Sequence, residues 1–300
     1  SLPGGRLIRY AYDAVGNRTS VVDDGVTTLY TTGVLNEYLL VGNTVYTYDA
    51  DGNLVSQADA NGTTAYSFND ENRLIGVTGA GLAAAYTYDP LGHRNSATVN
   101  GQRTDYLTDP AGMDYVAAEY TGAGLVARYT RGIGLTSRID AMGAAAYYDF
   151  DALGNTVGLT NAAGAYVNRY SFLPFGETTT VLAGLPNPFT FVGQFGVMED
   201  GSGTFHMRNR TYDAAIGQFI SVDPIGLKCG DVNFRRYAGN NPLSRVDPTG
   251  LSGWGRWGKA KLCDVYKISD SEKNDLKNKK PGDKVPVTLN GAPSDVTFTG

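Results

Sequence analysis

The chain is short of cysteine, histidine, lysine and long apolar runs, and each shortage removes a class of function. Its two cysteines, Cys229 and Cys263, allow at most one bridge, and neither stands in a Cys-x-x-Cys pair or at metal-ligand spacing from His93 or His206. Structural zinc is not expected, and no residue pattern calls for a cofactor. No apolar run is long enough to span a bilayer, so no membrane-spanning segment is expected. Glycine has no Gly-X-Y period, which excludes collagen. The net charge of −5 speaks against nucleic acid as the partner of the whole chain, because phosphate neutralisation needs clustered Lys and Arg.

Lysine is scarce only up to a point. Residues 1–251 hold Lys228 and 15 Arg against 24 acids, a balance of −8, whereas residues 252–300 hold eight Lys and Arg256 against six acids, a balance of +3. So abrupt a change marks a separately drawn module and a boundary near Leu251. Nucleic acid is not an expected partner of residues 1–251. The chain opens at Ser1 without a charged n-region or an apolar h-region. With no initiating Met this suggests a fragment, and the missing signal then says nothing about export.

What is plentiful is glycine, 39 of 300 residues, and tyrosine, 20 against 11 phenylalanines. That profile fits many short strands joined by tight turns. A repeat follows. Tyr46-Thr47-Tyr48-Asp49 with Gly52-Asn53-Leu54 recurs 20 residues on as Tyr66-Ser67-Phe68-Asn69 with Asn72-Arg73-Leu74, and 20 further on as Tyr86-Thr87-Tyr88-Asp89 with Gly92-His93-Arg94. Related copies begin at Tyr10, Tyr148 and Tyr170. Aromatics two apart share one face of an extended strand, and Asp-x-x-Gly supplies a turn, so each unit reads as strand, turn, strand. One hairpin cannot bury its aromatic face alone, so neighbouring hairpins must assemble into a long antiparallel sheet. Leu82-Ala83-Ala84-Ala85 is the best helical candidate, but it leads straight into a repeat and reads as strand.

The Tyr-x-Tyr-Asp-x-x-Gly-Asn unit resembles the YD repeat of RHS proteins, the family of bacterial polymorphic toxins, the C component of insecticidal Tc toxin complexes and animal teneurins. The resemblance covers about residues 6–251. It implies an all-β fold, a spiralling antiparallel sheet that closes into a hollow shell around a C-terminal passenger. Residues 1–200 would form the YD-repeat sheet, 201–251 an RHS-associated core, and 252–300 a variable effector region, a small α+β tail cut short.

The most specific stretch runs from Arg210 through Asp223-Pro224-Ile225-Gly226-Leu227, and is followed by Asn240-Asn241-Pro242 and Asp247-Pro248-Thr249-Gly250-Leu251. It is similar to the RHS-associated core motif, which in many relatives is an aspartyl self-protease that cuts after the final Leu. Position by position, the resemblance implicates Asp223 and Asp247 as a carboxylate pair, Arg210 as their cationic neighbour and Leu251–Ser252 as the scissile bond. The lysine break falls on that bond. Hydrolysing an amide needs one group to take a proton from water and another to give one to the carbonyl oxygen, and two close carboxylates can share one proton for the purpose. The expected role is delivery and autoproteolytic release of a toxin by a secreted or cell-surface protein. Its expected partners are its own passenger, a secretion or delivery complex and an immunity protein. The alternative is a non-enzymatic surface or adhesion scaffold.

The plain reading of Asp-Pro-x-Gly is a turn, in which Asp accepts a local bond, Pro sets φ and Gly closes the reversal. Four occur, at Asp89, Asp109, Asp223 and Asp247. Thr211, Gln218 and Cys229 depart from the family pattern around the site. His206 reads as a structural strand histidine, His93 as a solvated turn residue, and the Gly122 and Gly132 segments as turns rather than phosphate loops. In the tail, Ser269-Asp270-Ser271-Glu272 predicts a helix cap before 273–280. Strands are predicted over Val285–Leu289 and Val296–Thr299, separated by Asn290-Gly291 and further loop.

Overall fold

Each repeat unit contains an irregularity that explains how a long sheet can curl. Thr47 stands opposite Ser56 but Tyr48 opposite Leu54, which leaves Val55 as an extra residue. The same slip recurs at Ala11/Tyr12, Ser67/Phe68 and Asp149/Phe150. An extra residue on one strand bends it and increases its twist, so bulges repeated beside successive turns curve the whole sheet. The computed structural model describes residues 5–79, 81–109, 115–251, 254–255, 284–289 and 292–297. The chain forms two compact units, Ser1–Gly253 and Trp254–Gly300.

In the first unit eighteen strands, from Ile8–Tyr12 to Thr178–Ala183, make one sheet in which each strand pairs antiparallel with the next in sequence. This is the expected all-β meander of YD-repeat hairpins, with Leu82–Tyr88 a strand. The first aromatic is buried on the concave face in four of the units, at Tyr46, Tyr66, Tyr86 and Tyr148, and half-buried at Tyr10 and Tyr170. The second reaches along the sheet: the Tyr48 hydroxyl donates to the Tyr38 carbonyl at 3.1 Å and that of Tyr88 to Leu74 at 2.7 Å. Tyrosine outnumbers phenylalanine because these rings meet polar groups as well as apolar ones. The hydroxyls of Tyr86, Tyr148 and Tyr212 donate to Asp200 O, Asn187 Oδ1 and Phe175 O.

Several alternate turns, those at Asp13, Asp49, Asp89 and Asp151 among them, follow one pattern along one rim. Asp49 Oδ1 accepts the amides of Asp51 and Asn53, and Asn53 Nδ2 bridges Asp49 Oδ2 and Asn72 Oδ1 of the next rim turn, at 3.0 and 2.7 Å. Asp13, Asn17 and Asn36 repeat the arrangement. In these two turns the side chains that build the turn also tie it to its neighbour.

Residues 185–251 fill the concavity. Phe191, Tyr212, Phe219 and Tyr237 stack in one knot, with Tyr212 and Tyr237 centroids 4.4 Å apart. Ile216 and Ile220 join the cluster of Tyr38, Tyr46, Tyr66 and Tyr86, while Phe189 and Met198 join that of Tyr129 and Tyr148. The curl brings the two ends of the meander together, with Tyr10 5.1 Å from Phe175 edge to face and Arg18 4.0 Å over the Phe175 ring. The plug docks on the rim through polar contacts: Asn240 Nδ2 to Gly16 O, Asn233 Nδ2 to Asn17 Oδ1, Arg235 to Gly52 O, and Leu54 N to Ile220 O.

In the second unit, Lys284–Leu289 pairs antiparallel with Ala292–Thr297. The second strand begins earlier than expected: Leu289 stands opposite Ala292, so pairing resumes after a two-residue connection, the length that best matches strand twist. The helix expected over 273–280 lies outside the described residues.

Burial and backbone geometry give two predictions. Gly52 has φ +81°, and a Cβ there would sit 2.8 Å from Val222 and 2.9 Å from Arg235; Gly25 has φ +88° and open space around it. Gly25→Ala is expected to cost about 1 kcal/mol of backbone strain, and Gly52→Ala about 1–3 kcal/mol more for the clash with the plug. Urea unfolding of the two variants checks this, and equal costs would mean that the plug does not seat on the rim. Asp213 is buried, and burial lifts its carboxyl to about 6, against the pull of the Ala215 and Ile216 amides. The unfolded chain ionises near pH ~4 while the folded one keeps its proton, so stability from this group is full below pH ~4 and falls as pH rises to 6. The loss reaches about 3 kcal/mol above that. Asp213→Asn is expected to flatten that part of the stability profile, measured as urea midpoints from pH 4 to 7.

Candidate functional site

The site is built on a short strand, Arg210–Asp213, whose four residues are all buried. It lies between Thr204–Met207, with Met207 opposite Arg210, and Gln218–Phe219, with Tyr212 opposite Phe219. Strand alternation turns Arg210 toward Phe219, and its guanidinium carbon sits 3.6 Å over that ring. Two Asp-Pro-x-Gly turns reach this strand. The Asp223 amide donates to Phe234 O at 3.1 Å, which anchors the first. Gly250, at φ +69°, packs against the Arg210 strand so closely that a Cβ would lie 2.7 Å from Met207 O, which anchors the second.

In both turns the aspartate divides its oxygens between two tasks. Asp223 Oδ1 accepts the Ile225 amide at 3.0 Å, and Asp247 Oδ1 accepts the Thr249 hydroxyl and the Leu251 amide, each at 3.2 Å. These are the turn bonds expected of any Asp-Pro-x-Gly. The Oδ2 atoms instead face one nitrogen, Arg210 Nη2, at 2.9 Å from Asp223 and 3.7 Å from Asp247. All three side chains are 5% exposed or less. Asp89, in a turn of the same sequence type, differs: its Oδ2 meets His93 Nδ1 at 2.9 Å on the rim. Arg210, Asp223, Asp247 and Leu251 are thus brought together, while Ser252 lies outside the described residues. Two carboxylates facing one guanidinium, shielded from water, have strong electrostatic coupling, and the Leu251 amide is bonded to one of them, Asp247, at 3.2 Å.

Sequence reasoning missed the residues that hold the second turn. Three consecutive carbonyls are each held by one of three consecutive side chains: Pro248 O by Arg208 Nη1 at 2.5 Å, Thr249 O by Asn209 Nδ2 at 2.9 Å, and Gly250 O by Arg210 Nε. The acceptors are main-chain atoms, so no residue identity announces them; the only signal is the polar run Arg208-Asn209-Arg210 beside a strand. Thr249, at the variable position of its turn, donates to Asp247. Gln218, which departs from the family pattern, donates to Asn36 O at 3.2 Å and so ties the core to the rim. Thr211 is buried. His93, expected to be solvated, is largely covered and paired with Asp89 because the rim turn is capped from the core side. Among the described residues no group of three or more His, Cys, Asp or Glu is placed to hold a metal, and no helix is long and apolar enough to cross a membrane.

Several known proteins are similar to this chain. The sequence profile of the RHS Repeat family matches residues 48–81. The chain is 28% identical to the tRNA nuclease WapA of Bacillus subtilis (strain 168) over 83% of its length and 11% of that protein. It is 29% identical to the double-stranded DNA deaminase toxin A of Burkholderia cenocepacia (strain H111) over 84% of its length and 20% of that protein. The chain thus spans between a tenth and a fifth of these curated relatives. Its fold resembles that in the crystal structure of TcdB2-TccC3, with a TM-score of 0.50 and 17% identity over 82% of this chain and 17% of that one. A repeated Tyr-x-Tyr-Asp hairpin and an eighteen-stranded meander accompany these likenesses: the chain carries the RHS repeat and is similar to RHS/YD-repeat toxins over most of its length.

Proposed function

We propose that this chain is part of a toxin-delivery protein in which the β sheet carries a C-terminal passenger and an aspartyl self-protease releases it. In this reading residues 1–200 are the YD-repeat sheet, 201–251 the self-cleaving core and 252–300 the start of the passenger. Asp223 and Asp247 share one proton; one carboxylate takes a proton from water as it attacks the Leu251 carbonyl, and the other protonates the carbonyl oxygen. Arg210 holds the charge of the ionised partner and fixes both carboxylates in place. The reaction happens in cis, once per chain, because the substrate is the chain's own connection and proximity replaces binding.

The observation that carries this reading is the meeting of both Oδ2 atoms at Arg210 Nη2 with the Leu251 amide bonded to Asp247. The charge reversal after Leu251 supports a passenger beginning there. The nuclease and deaminase relatives support a toxic one, and a protein of this kind would act outside its producer, secreted or on the cell surface, with a delivery complex and an immunity protein as partners. A second reading, a non-enzymatic surface scaffold, has the turn bonds of Asp223 Oδ1 and Asp247 Oδ1 in its favour.

Intact mass of freshly expressed protein separates the two. Wild type is expected to be split between Leu251 and Ser252, and Asp223→Asn and Asp247→Asn are each expected to slow the cut by about a hundredfold or more. A wild type that stays whole would favour the scaffold, and variants that split as fast as it does would overturn the roles given to Asp223 and Asp247.

A further inference from the structure

The segment that leads into the Leu251–Ser252 bond is gripped by its main chain. Arg208 Nη1 donates to Pro248 O at 2.5 Å, Asn209 donates to Thr249 O through its amide at 3.2 Å and its Nδ2 at 2.9 Å, and Arg210 Nε donates to Gly250 O. The donor residues are consecutive and so are the acceptors, so the two segments lie side by side in matched register. Both guanidiniums are fixed from their other nitrogens as well: Arg208 Nη2 donates to Phe195 O at 2.6 Å and Arg210 Nη1 to Phe234 O at 2.7 Å. Gly250 lets the segment lie flush, since a Cβ there would stand 3.1 Å from Arg210 N. A turn is closed by its own internal bonds. These added donors hold three carbonyls that a turn leaves to solvent.

Hydrolysis would leave every one of these contacts in place. It joins the oxygen of water to the Leu251 carbonyl carbon, breaks the C–N bond and sends a proton to the Ser252 nitrogen, giving a carboxyl group on Leu251 and an amine on Ser252. The gripped carbonyls all lie before the Leu251 carbonyl. The Leu251 amide also keeps its acceptors, Asp247 Oδ1 at 3.2 Å and Thr249 Oγ1 at 3.4 Å.

We propose that Arg208 and Asn209 are positioning residues of a backbone clamp that keeps the cut end seated in the carboxylate site, so that the site is closed to any other peptide after one turnover. The proposal rests on the self-protease reading and adds to it what stops the protease afterwards. Each hydrogen bond of the clamp favours the seated end by about tenfold, and more where the donor is charged. The end also remains joined to the chain through Val246 and Asp247, so it returns to the site as a neighbour at high effective concentration, against which a free peptide competes poorly.

Hydrogen exchange before and after the cut tests the clamp on the full chain. Intact mass first shows when wild type is fully cut, and Asp223→Asn supplies the uncut reference. The Asn209 amide, which donates to Thr249 O, reports from one side, and the Gly250 and Leu251 amides report from the cut end itself. Cut wild type is expected to exchange within about twofold of the uncut reference at all three amides. Asn209→Ala is expected to exchange about tenfold faster once cut than in its own uncut Asp223→Asn background, a difference that a merely structural role would not produce. Arg208→Lys, which keeps the charge but not the fork, is expected to do the same and takes its place should Asn209→Ala not fold. A cut wild type whose amides exchange tenfold faster than the reference, or cut variants as protected as cut wild type, would overturn the clamp and leave the self-protease standing. A wild type that is never cut would overturn the self-protease reading and the clamp with it.

Discussion

A sheet made of hairpins with one aromatic face must cover that face, and the rest of the first unit follows from how it does so. Bulges beside successive rim turns bend the strands in the same sense, so the aromatic face becomes concave. Curvature alone leaves the rings facing one another across a gap. Residues 185–251 close the gap with their own aromatics, and the stability of each hairpin then depends on a segment far along the chain. Sheet and plug are accordingly a single folding problem: neither has a buried core without the other.

The same dependence sets the geometry of the carboxylate site. Arg210 lies on a plug strand, and the two aspartates lie on turns of the same plug. Their meeting point is enclosed because the knot of Phe191, Tyr212, Phe219 and Tyr237 sits beside it. The turn bonds and the contacts to Arg210 do not compete, since each aspartate gives one oxygen to each. A turn motif can therefore carry a second task without losing the first, and sequence alone shows only the turn.

That division governs what was legible beforehand. Local rules sufficed for the meander: aromatics two apart and Asp-x-x-Gly are short-range signals, and they located the strands at Tyr46, Tyr66 and Tyr86. The likeness to a known core motif singled out Arg210, Asp223 and Asp247, which spacing alone did not, because they are brought together by tertiary packing. Arg208 and Asn209 were illegible, since their partners are carbonyls that every residue possesses. His93 was misread because a turn is usually exposed, whereas this rim is roofed by the plug. In the tail, Asn290-Gly291 marked the reversal, but the strand after it was placed four residues late.

The way the plug recognises the rim has a consequence for how such chains can vary. Asn240, Arg235, Gln218 and the Gln194 amide all donate to main-chain oxygens, those of Gly16, Gly52, Asn36 and Gly154. In the three of these turns that run Asp-x-x-Gly, the residue before the glycine is Val15, Asp51 or Leu153, and the change leaves the contact intact. A lock that reads mostly backbone, with Asn17 and Asn155 as the side chains it also engages, tolerates drift at the other positions. Repeats can then be exchanged, duplicated or shuffled during descent while the closing segment still fits, so long as each keeps its aspartate and its glycine.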